Sequence, residues 1–238
     1  MKAHVKTHAV VSRQEWLTER TAFLAKEKEF FRLRDELSRQ RRELPWVKVD
    51  KPYGFEGPNG KETLAELFGK HSQLMVYHFM FGPESDEGCP HCSFWADHYD
   101  AMPVHLAHRD VSFVVVSRAP LAKIQPFKQR MGWRFKWVSS NQTDFNYDFG
   151  VSFTPEELRT KTAFYNYVKT DPGPERQGLS AFYKDEHGTV FHTYSTYARG
   201  IDLLNSTYNC LDMAPKGRDE DGLEWAQAWV RHHDRYVD

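Results

Sequence analysis

The sequence predicts an α/β fold built on a parallel sheet. Three observations carry this. Leu74-Met75-Val76-Tyr77-His78-Phe79-Met80-Phe81 is a continuous apolar run of strand length. Val111-Ser112-Phe113-Val114-Val115-Val116 is a second one, and both read as strands buried on two faces. Between them lies a helix-like stretch that opens with Gly88-Cys89-Pro90-His91-Cys92, which puts two thiols two residues apart at a strand-to-helix turn.

The bounds are those of an ordinary globular protein. The chain has 238 residues, 40% of them apolar and 27% charged, with a net charge of −1. A full core is within reach at that length, and no basic footprint for nucleic acid or anionic lipid is visible. No apolar run reaches the ~18 residues of a membrane helix. Met1-Lys2-Ala3-His4-Val5-Lys6 lacks the apolar region of a secretory signal. The expected location is therefore cytoplasmic, where a disulfide is usually transient and catalytic. Aromatics reach 15%, which predicts a core built with large rings.

The elements follow in order. Ser12-Arg13-Gln14-Glu15 has the form of a capping box, and Val11 and Trp16 stand where a hydrophobic staple would form. A helix runs from there to about Glu43, stopped by Pro45. Its apolar residues recur as Trp16/Leu17, Phe23/Leu24, Phe30/Phe31, Leu37 and Leu44, with charges on the far side. That pattern predicts an arm packed on a globular body or on a second copy in a homodimer. The domain organisation read from this is 1–48, an N-terminal helical arm, and 49–238, the α/β domain.

Residues 51–61 are turn-rich and read as a loop or hairpin. Thr63-Leu64-Ala65-Glu66 is a second capping box. After strand 74–81, a helix starts at Pro90 and kinks or breaks at Pro103. Strand 111–116 follows, then a helix over 119–131 closed by Gly132, then a strand over 135–138. The order β-α-β-α-β predicts right-handed parallel crossovers. Residues 141–178 read as an insertion or lid, with a short helix at Thr154-Pro155. Residues 179–183 and 189–194 form a hairpin turning at Gly188. Ile201, Leu204, Tyr208 and Leu211 return to helical spacing, and a last helix carries Leu223, Trp225, Trp229 and Val230.

The dithiol carries the chemistry. Cys89 falls at the N-terminal end of a helix, where unpaired N–H groups and the helix dipole favour a thiolate. Cys92, one turn on, can attack a mixed disulfide formed at Cys89 and close the pair. His91 lies between them and tunes the thiolate. A zinc site on Cys89, Cys92, His105 and His108 competes, but the last gap is one residue short of the usual finger. Covalent haem needs His where Ser93 stands. A vestigial pair on a fold used otherwise is the third reading. Cys210 reads as a buried, inert thiol. His232-His233 reads as a solvated helix end, and Tyr194, Tyr197 and Arg199 as a weak pocket signal.

Through Leu74–Phe81, Cys89-Pro90-His91-Cys92 and the strand at 111–116, the chain resembles the thioredoxin superfamily. More narrowly it resembles a bacterial thioredoxin-like family, domain-of-unknown-function family 899. The matching stretches include Arg41-Arg42-Glu43-Leu44-Pro45-Trp46, Gly88–Asp97, Val116–Ile124, Phe191–Gly200 and Pro215–Glu220. The resemblance implies a thioredoxin-like fold with a peroxiredoxin-type N-terminal extension and a dithiol-disulfide oxidoreductase activity. The Cys-Pro-His-Cys tetrapeptide also matches the oxidising periplasmic thioredoxins, which makes Cys89 the nucleophile and Cys92 the resolving thiol. No metal or organic cofactor is implied. The partners expected are a thiol or disulfide substrate and a recycling thioredoxin or glutathione system. Two departures stand out. Gln177-Gly178-Leu179-Ser180 holds no proline where thioredoxins set a cis-proline facing the dithiol. Pro83 and Ser85 are each one residue off the peroxiredoxin register. The alternatives are a thiol peroxidase using Cys89 and a non-catalytic dimeric thioredoxin-fold binding protein.

Overall fold

The computed structural model describes residues 8–237; the hexapeptide at the start of the chain, read above for a signal, lies outside them. The chain divides into two compact units, Met1–Pro45 and Trp46–Asp238. In the first, α1 spans Arg13–Arg42. Ser12 caps it: its hydroxyl accepts from the Glu15 N–H while the Glu15 carboxylate accepts from the Ser12 N–H, so the capping box forms as the sequence predicts. Arg39, Arg41 and Arg42 in the last turn complement the helix dipole. At 1.5 Å per residue the helix is about 45 Å long. None of its residues is buried, and Trp16, Phe23, Phe30 and Phe31 stay exposed.

The second unit is a mixed sheet of eight strands. They are β1 (Val47–Lys48), β2 (Gly54–Gly57), β3 (Gly60–Thr63), β4 (Gln73–His78), β5 (Val111–Ser117), β6 (Lys136–Ser139), β9 (Gly178–Lys184) and β10 (Val190–Tyr197), in the order β1-β10-β9-β4-β5-β6-β2-β3. β4, β5 and β6 are parallel, with Tyr77 opposite Val115 and Val115 opposite Trp137. β9 runs antiparallel to β4, and β10 antiparallel to β9. The segment β10-β9-β4-β5, with a helix leaving the C-terminal end of β4, is the thioredoxin-like arrangement. The β2–β3 hairpin and the short α2 (Leu64–Leu67), capped by Thr63, form the N-terminal extension of the peroxiredoxin type.

The central strands β4 and β5 are buried on both faces, as their unbroken apolar runs require. Tyr77, Phe113, Val115 and Trp137 point to one face and pack with Trp95, Phe127 and Trp133. Leu74, Val76, Val114, Val116 and Val138 point to the other and pack with Tyr53, Phe55, Phe145 and Phe182. The large-ring core expected from composition is present on both.

The helix predicted at Pro90 does break before Pro103. It becomes α3 (Pro90–Ala96) and α4 (Met102–Ala107), with Pro103 in the first turn of the second, where a missing N–H costs nothing. α5 (Leu121–Arg130) follows β5 and tolerates Pro126. The span 141–178 is structured: α6 (Phe145–Asp148), α7 (Pro155–Thr160), and a small hairpin of β7 (Phe164–Tyr165) and β8 (Val168–Lys169). A 3₁₀ stretch, Ala198–Leu204, and α8 (Ser206–Leu211) close the domain core.

Three sequence expectations are corrected. No helix forms over 223–230. Asp219 and Gln227 take left-handed backbone (φ 54° and 71°), and the Glu220 carboxylate accepts from Tyr208 Oη, Trp229 Nε1 and the Gln227 N–H. This tertiary network outweighs the helical periodicity. Cys210 is exposed, because α8 turns its buried face through Tyr208, two residues and about 200° away. His232 is not a solvated helix end. It is 3% exposed, and the segment around it lies against the dithiol loop.

Candidate active site

The strand-to-helix turn sets the thiols in place. β4 ends at His78, and the chain continues extended until the Phe81 carbonyl accepts from Ala119 N–H. Cys89 N–H donates to the Met80 carbonyl at 3.0 Å, which ties the thiol loop back beside its own strand. Cys89 is the N-cap residue of α3, with extended backbone (φ −60°, ψ 129°), and Pro90 occupies the first helical position. Its carbonyl accepts from Ser93 N–H and Ser93 Oγ, both at 2.9 Å. Gly88 is needed by the packing: a Cβ there would lie 2.7 Å from both the Phe79 and Phe127 rings.

Both thiols are free in this state, Cys89 half-buried and Cys92 fully buried. The Cys92 thiol hydrogen-bonds the Cys89 sulfur and is the largest influence lowering the Cys89 pKa below the ordinary thiol value. Burial opposes it. The backbone N–H groups of Cys92 and His91 and the Arg176 charge act in the same direction as the Cys92 thiol. Burial pushes the Cys92 thiol well up, and the neighbouring Cys89 adds to that. The two thiols are thus split in acidity: the half-buried Cys89 gives up its proton more readily, and Cys92 beneath it less readily.

Cys92 is held by three groups, one in β4 and two in the segments that flank β4 and β9. Met80 N–H donates to its sulfur at 3.3 Å, Gln177 Oε1 lies 3.5 Å from it, and Tyr77 Oη donates to its carbonyl at 3.3 Å. Tyr77 Oη is also 3.1 Å from Gln177 Oε1. His91 keeps its ring largely out of this network. Burial, with the Arg231 charge second, lowers its pKa, and its Nδ1 is buried without a hydrogen-bond partner. What reaches the Cys89 sulfur from His91 is its backbone N–H.

Gln177, Arg176 and Tyr77 were not singled out as site residues from the sequence. The signal for the first two was positional: they occupy the segment before β9 that faces the dithiol, where the sequence showed no proline. Among the described residues there is no cis peptide bond. His105 lies on α4 and His108 caps its end. Among the described residues no group of three or more His, Cys, Asp or Glu side chains is placed to hold a metal ion. Of the weak pocket signal, Tyr197 lines a cavity on the other side of the sheet.

The C-terminal segment completes the site. His232 Nε2 meets the Gly88 carbonyl at 2.8 Å and its Nδ1 meets Arg130 Nη2 at 2.9 Å. A guanidinium only donates, so Nδ1 accepts and Nε2–H donates to Gly88. Arg235 pairs with Glu87 at 2.7 Å, and His233 with Asp97 at 2.7 Å. Trp229 meets Phe94 edge-on at 5.4 Å. The last turns of the chain therefore brace the loop that presents Cys89.

The family model described as "Bacterial protein of unknown function (DUF899)" matches residues 5–236. No curated protein matches the chain. Among solved structures, it is similar to the peroxidoxin BcpB from Mycobacterium tuberculosis, at 15% identity over 70% of this chain and 97% of that one, with a TM-score of 0.45. It is similar also to peroxiredoxin Q from Xanthomonas campestris (13% identity, 71% and 98% covered, TM-score 0.45) and to PrxQ from Xylella fastidiosa (10%, 70% and 94%, TM-score 0.43).

Proposed function

The chain belongs to the DUF899 family of bacterial proteins of unknown function, and we propose that it is a thiol-disulfide oxidoreductase working through Cys89 and Cys92. The observation that carries this is the split dithiol: a half-buried Cys89 favoured as thiolate, next to a buried Cys92 that keeps its proton.

The Cys89 thiolate attacks one sulfur of a substrate disulfide. A Cys89–substrate mixed disulfide forms, and the other substrate sulfur leaves as a thiolate. Cys92 then attacks Cys89 Sγ, and its proton goes to the departing second substrate sulfur. The substrate is reduced by two electrons and the pair closes as a disulfide. Gln177 and Tyr77 hold Cys92 on the line of attack. His91 contributes a backbone N–H to the Cys89 sulfur and a neutral ring that leaves the thiolate reactive. A thiol reductant, either one thioredoxin dithiol or two glutathione molecules, reopens the pair.

The test is a redox titration of the two thiols over a glutathione series, read by alkylation and mass spectrometry, with Cys92→Ser to trap the mixed disulfide. One disulfide forming at a defined potential supports the assignment. Thiols that never pair sink it. Peroxide consumption that needs Cys89 but not Cys92 moves the assignment to a thiol peroxidase.

A further inference from the structure

The dithiol faces the sheet layer of Trp95 and Phe127. The opposite layer, that of Tyr53 and Phe145, ends in a cavity of about 440 Å³ that the redox chemistry does not use. We propose that this cavity, walled by Tyr53, Phe149, Phe164, Tyr167, His192 and Tyr197, is a second binding site, for a small, flat, uncharged aromatic molecule that carries an N–H or O–H donor.

The volume falls in the range of small-molecule sites, and six of the walls are rings. Flat faces at that density favour a planar guest that stacks or meets them edge-on. Phe164 and Tyr167 remain largely exposed at the rim, which leaves apolar surface there for an occupant to cover.

The charges argue for a neutral guest. Lys51 is paired with Asp144 and Asp148, and Lys48 with Asp50. His192 is held neutral chiefly by burial. It is also fixed from beneath by a hydrogen-bonded row that crosses three strands. His192 Nε2 meets Ser195 Oγ at 2.7 Å, Ser195 Oγ meets Ser180 Oγ at 2.8 Å, and Ser180 Oγ meets His78 Nε2 at 2.8 Å. His78 ends the row, buried, with its pKa lowered to about 3 by burial and with no partner for Nδ1. A row of neutral groups makes a rigid, uncharged floor.

The hydroxyls argue for a donor on the guest. Tyr53 Oη donates to Asp148, Tyr167 Oη to the Ser195 carbonyl, and Tyr197 Oη to the Phe149 carbonyl, at 2.7, 2.8 and 2.9 Å. With those protons engaged, the hydroxyls offer the cavity only oxygen lone pairs, and Asp148 adds a carboxylate. At these hydroxyls an acceptor-only guest would face oxygen against oxygen.

Tyr167 shows how closely the rim is defined. Asn166 and Tyr167 form the two-residue turn between β7 and β8, both in left-handed backbone (φ 50° and 65°). Glycine is the usual choice at the second position. The tyrosine holds this conformation through its bond to Ser195 and its edge-on contact with Tyr197 at 5.7 Å.

The test uses the full chain and three two-ring probes at pH 7.5, read by calorimetry and by saturation transfer. Indole carries a donor and no charge, quinoline carries an acceptor only, and indole-2-carboxylate carries a donor with a negative charge. Indole should bind one-to-one, with quinoline and indole-2-carboxylate each at least tenfold weaker. Phe164→Ala, at an exposed position, should weaken indole about tenfold without changing the melting temperature. The Cys89→Ser/Cys92→Ser double variant should bind indole as the parent does, which separates this site from the redox one. No saturable indole binding, equal affinity for the three probes, or an unaltered Phe164→Ala affinity would overturn the proposal.

Discussion

Replacing His232 with alanine tests whether the C-terminal segment braces the dithiol loop. The side chain is 3% exposed and makes two hydrogen bonds, to the Gly88 carbonyl and from Arg130. Losing the first removes a neutral bond worth about 0.5–1.5 kcal/mol. The second involves a charged donor, but Arg130 keeps Glu87 and Asp234, so about 1 kcal/mol is a fair share. The ring also sits edge-on to Phe127 at 5.3 Å, and an emptied site there adds roughly 0.5–1.5 kcal/mol. The sum is about 2–4 kcal/mol, or a fall in melting temperature of roughly 4–16 °C for a chain of this size. Calorimetry of the reduced protein reads it. His233→Ala is the control: that ring is half exposed on its Asp97 partner and should cost under about 1 kcal/mol. His232→Gln, which restores a donor toward Gly88, should recover part of the loss. A His232→Ala melting temperature equal to that of His233→Ala would refute the bracing.

Alkylation of Cys89 by iodoacetamide should titrate with a midpoint below the ordinary thiol value. The depressed group is the thiolate form, so reactivity is present above that midpoint and falls away as pH drops through it. Cys92→Ala, which removes the largest cause of the depression, should move the midpoint up, and Arg176→Ala should move it up less; a midpoint unmoved by Cys92→Ala would contradict the assignment of that cause. Gly88→Ala drives a methyl to 2.7 Å from two rings and should destabilise by about 1–3 kcal/mol, seen in denaturant melts; a neutral result would mean Phe79 and Phe127 can retreat. Tyr77→Phe removes the hydroxyl between Cys92 and Gln177 and should cost about 1 kcal/mol. It should also slow closure of the trapped mixed disulfide, and an unchanged closure rate would show that Tyr77 only packs.

Much of the frame was legible because it is local. The capping boxes at Ser12 and Thr63 need only a hydroxyl and a carboxylate three residues apart, and both form; the helix start read at Thr154-Pro155 forms as well. The unbroken apolar runs at 74–81 and 111–116 read as strands covered on two faces, and β4 and β5 form there. The turn at Gly188, the proline break at Pro103 and the placement of Cys89 at a helix start follow from single-residue stereochemistry. The nearness of the two thiols is fixed by one helical turn.

What depended on distant partners was not legible. The periodicity of Leu223, Trp225, Trp229 and Val230 reads as a helix until Glu220 gathers three donors from other parts of the chain. His232 looks like a solvated helix end until the Gly88 carbonyl and the Arg130 guanidinium, 144 and 102 residues away, hydrogen-bond its two ring nitrogens. Sequence alone thus determined the central strands, two of the caps and the pair of thiols, since each is set by neighbours a few residues apart. Only the tertiary structure decided which thiol is buried, that Gln177 and Tyr77 hold it, and that the last residues close over the loop. Burial and long-range hydrogen bonds exist only once the sheet has brought those segments together.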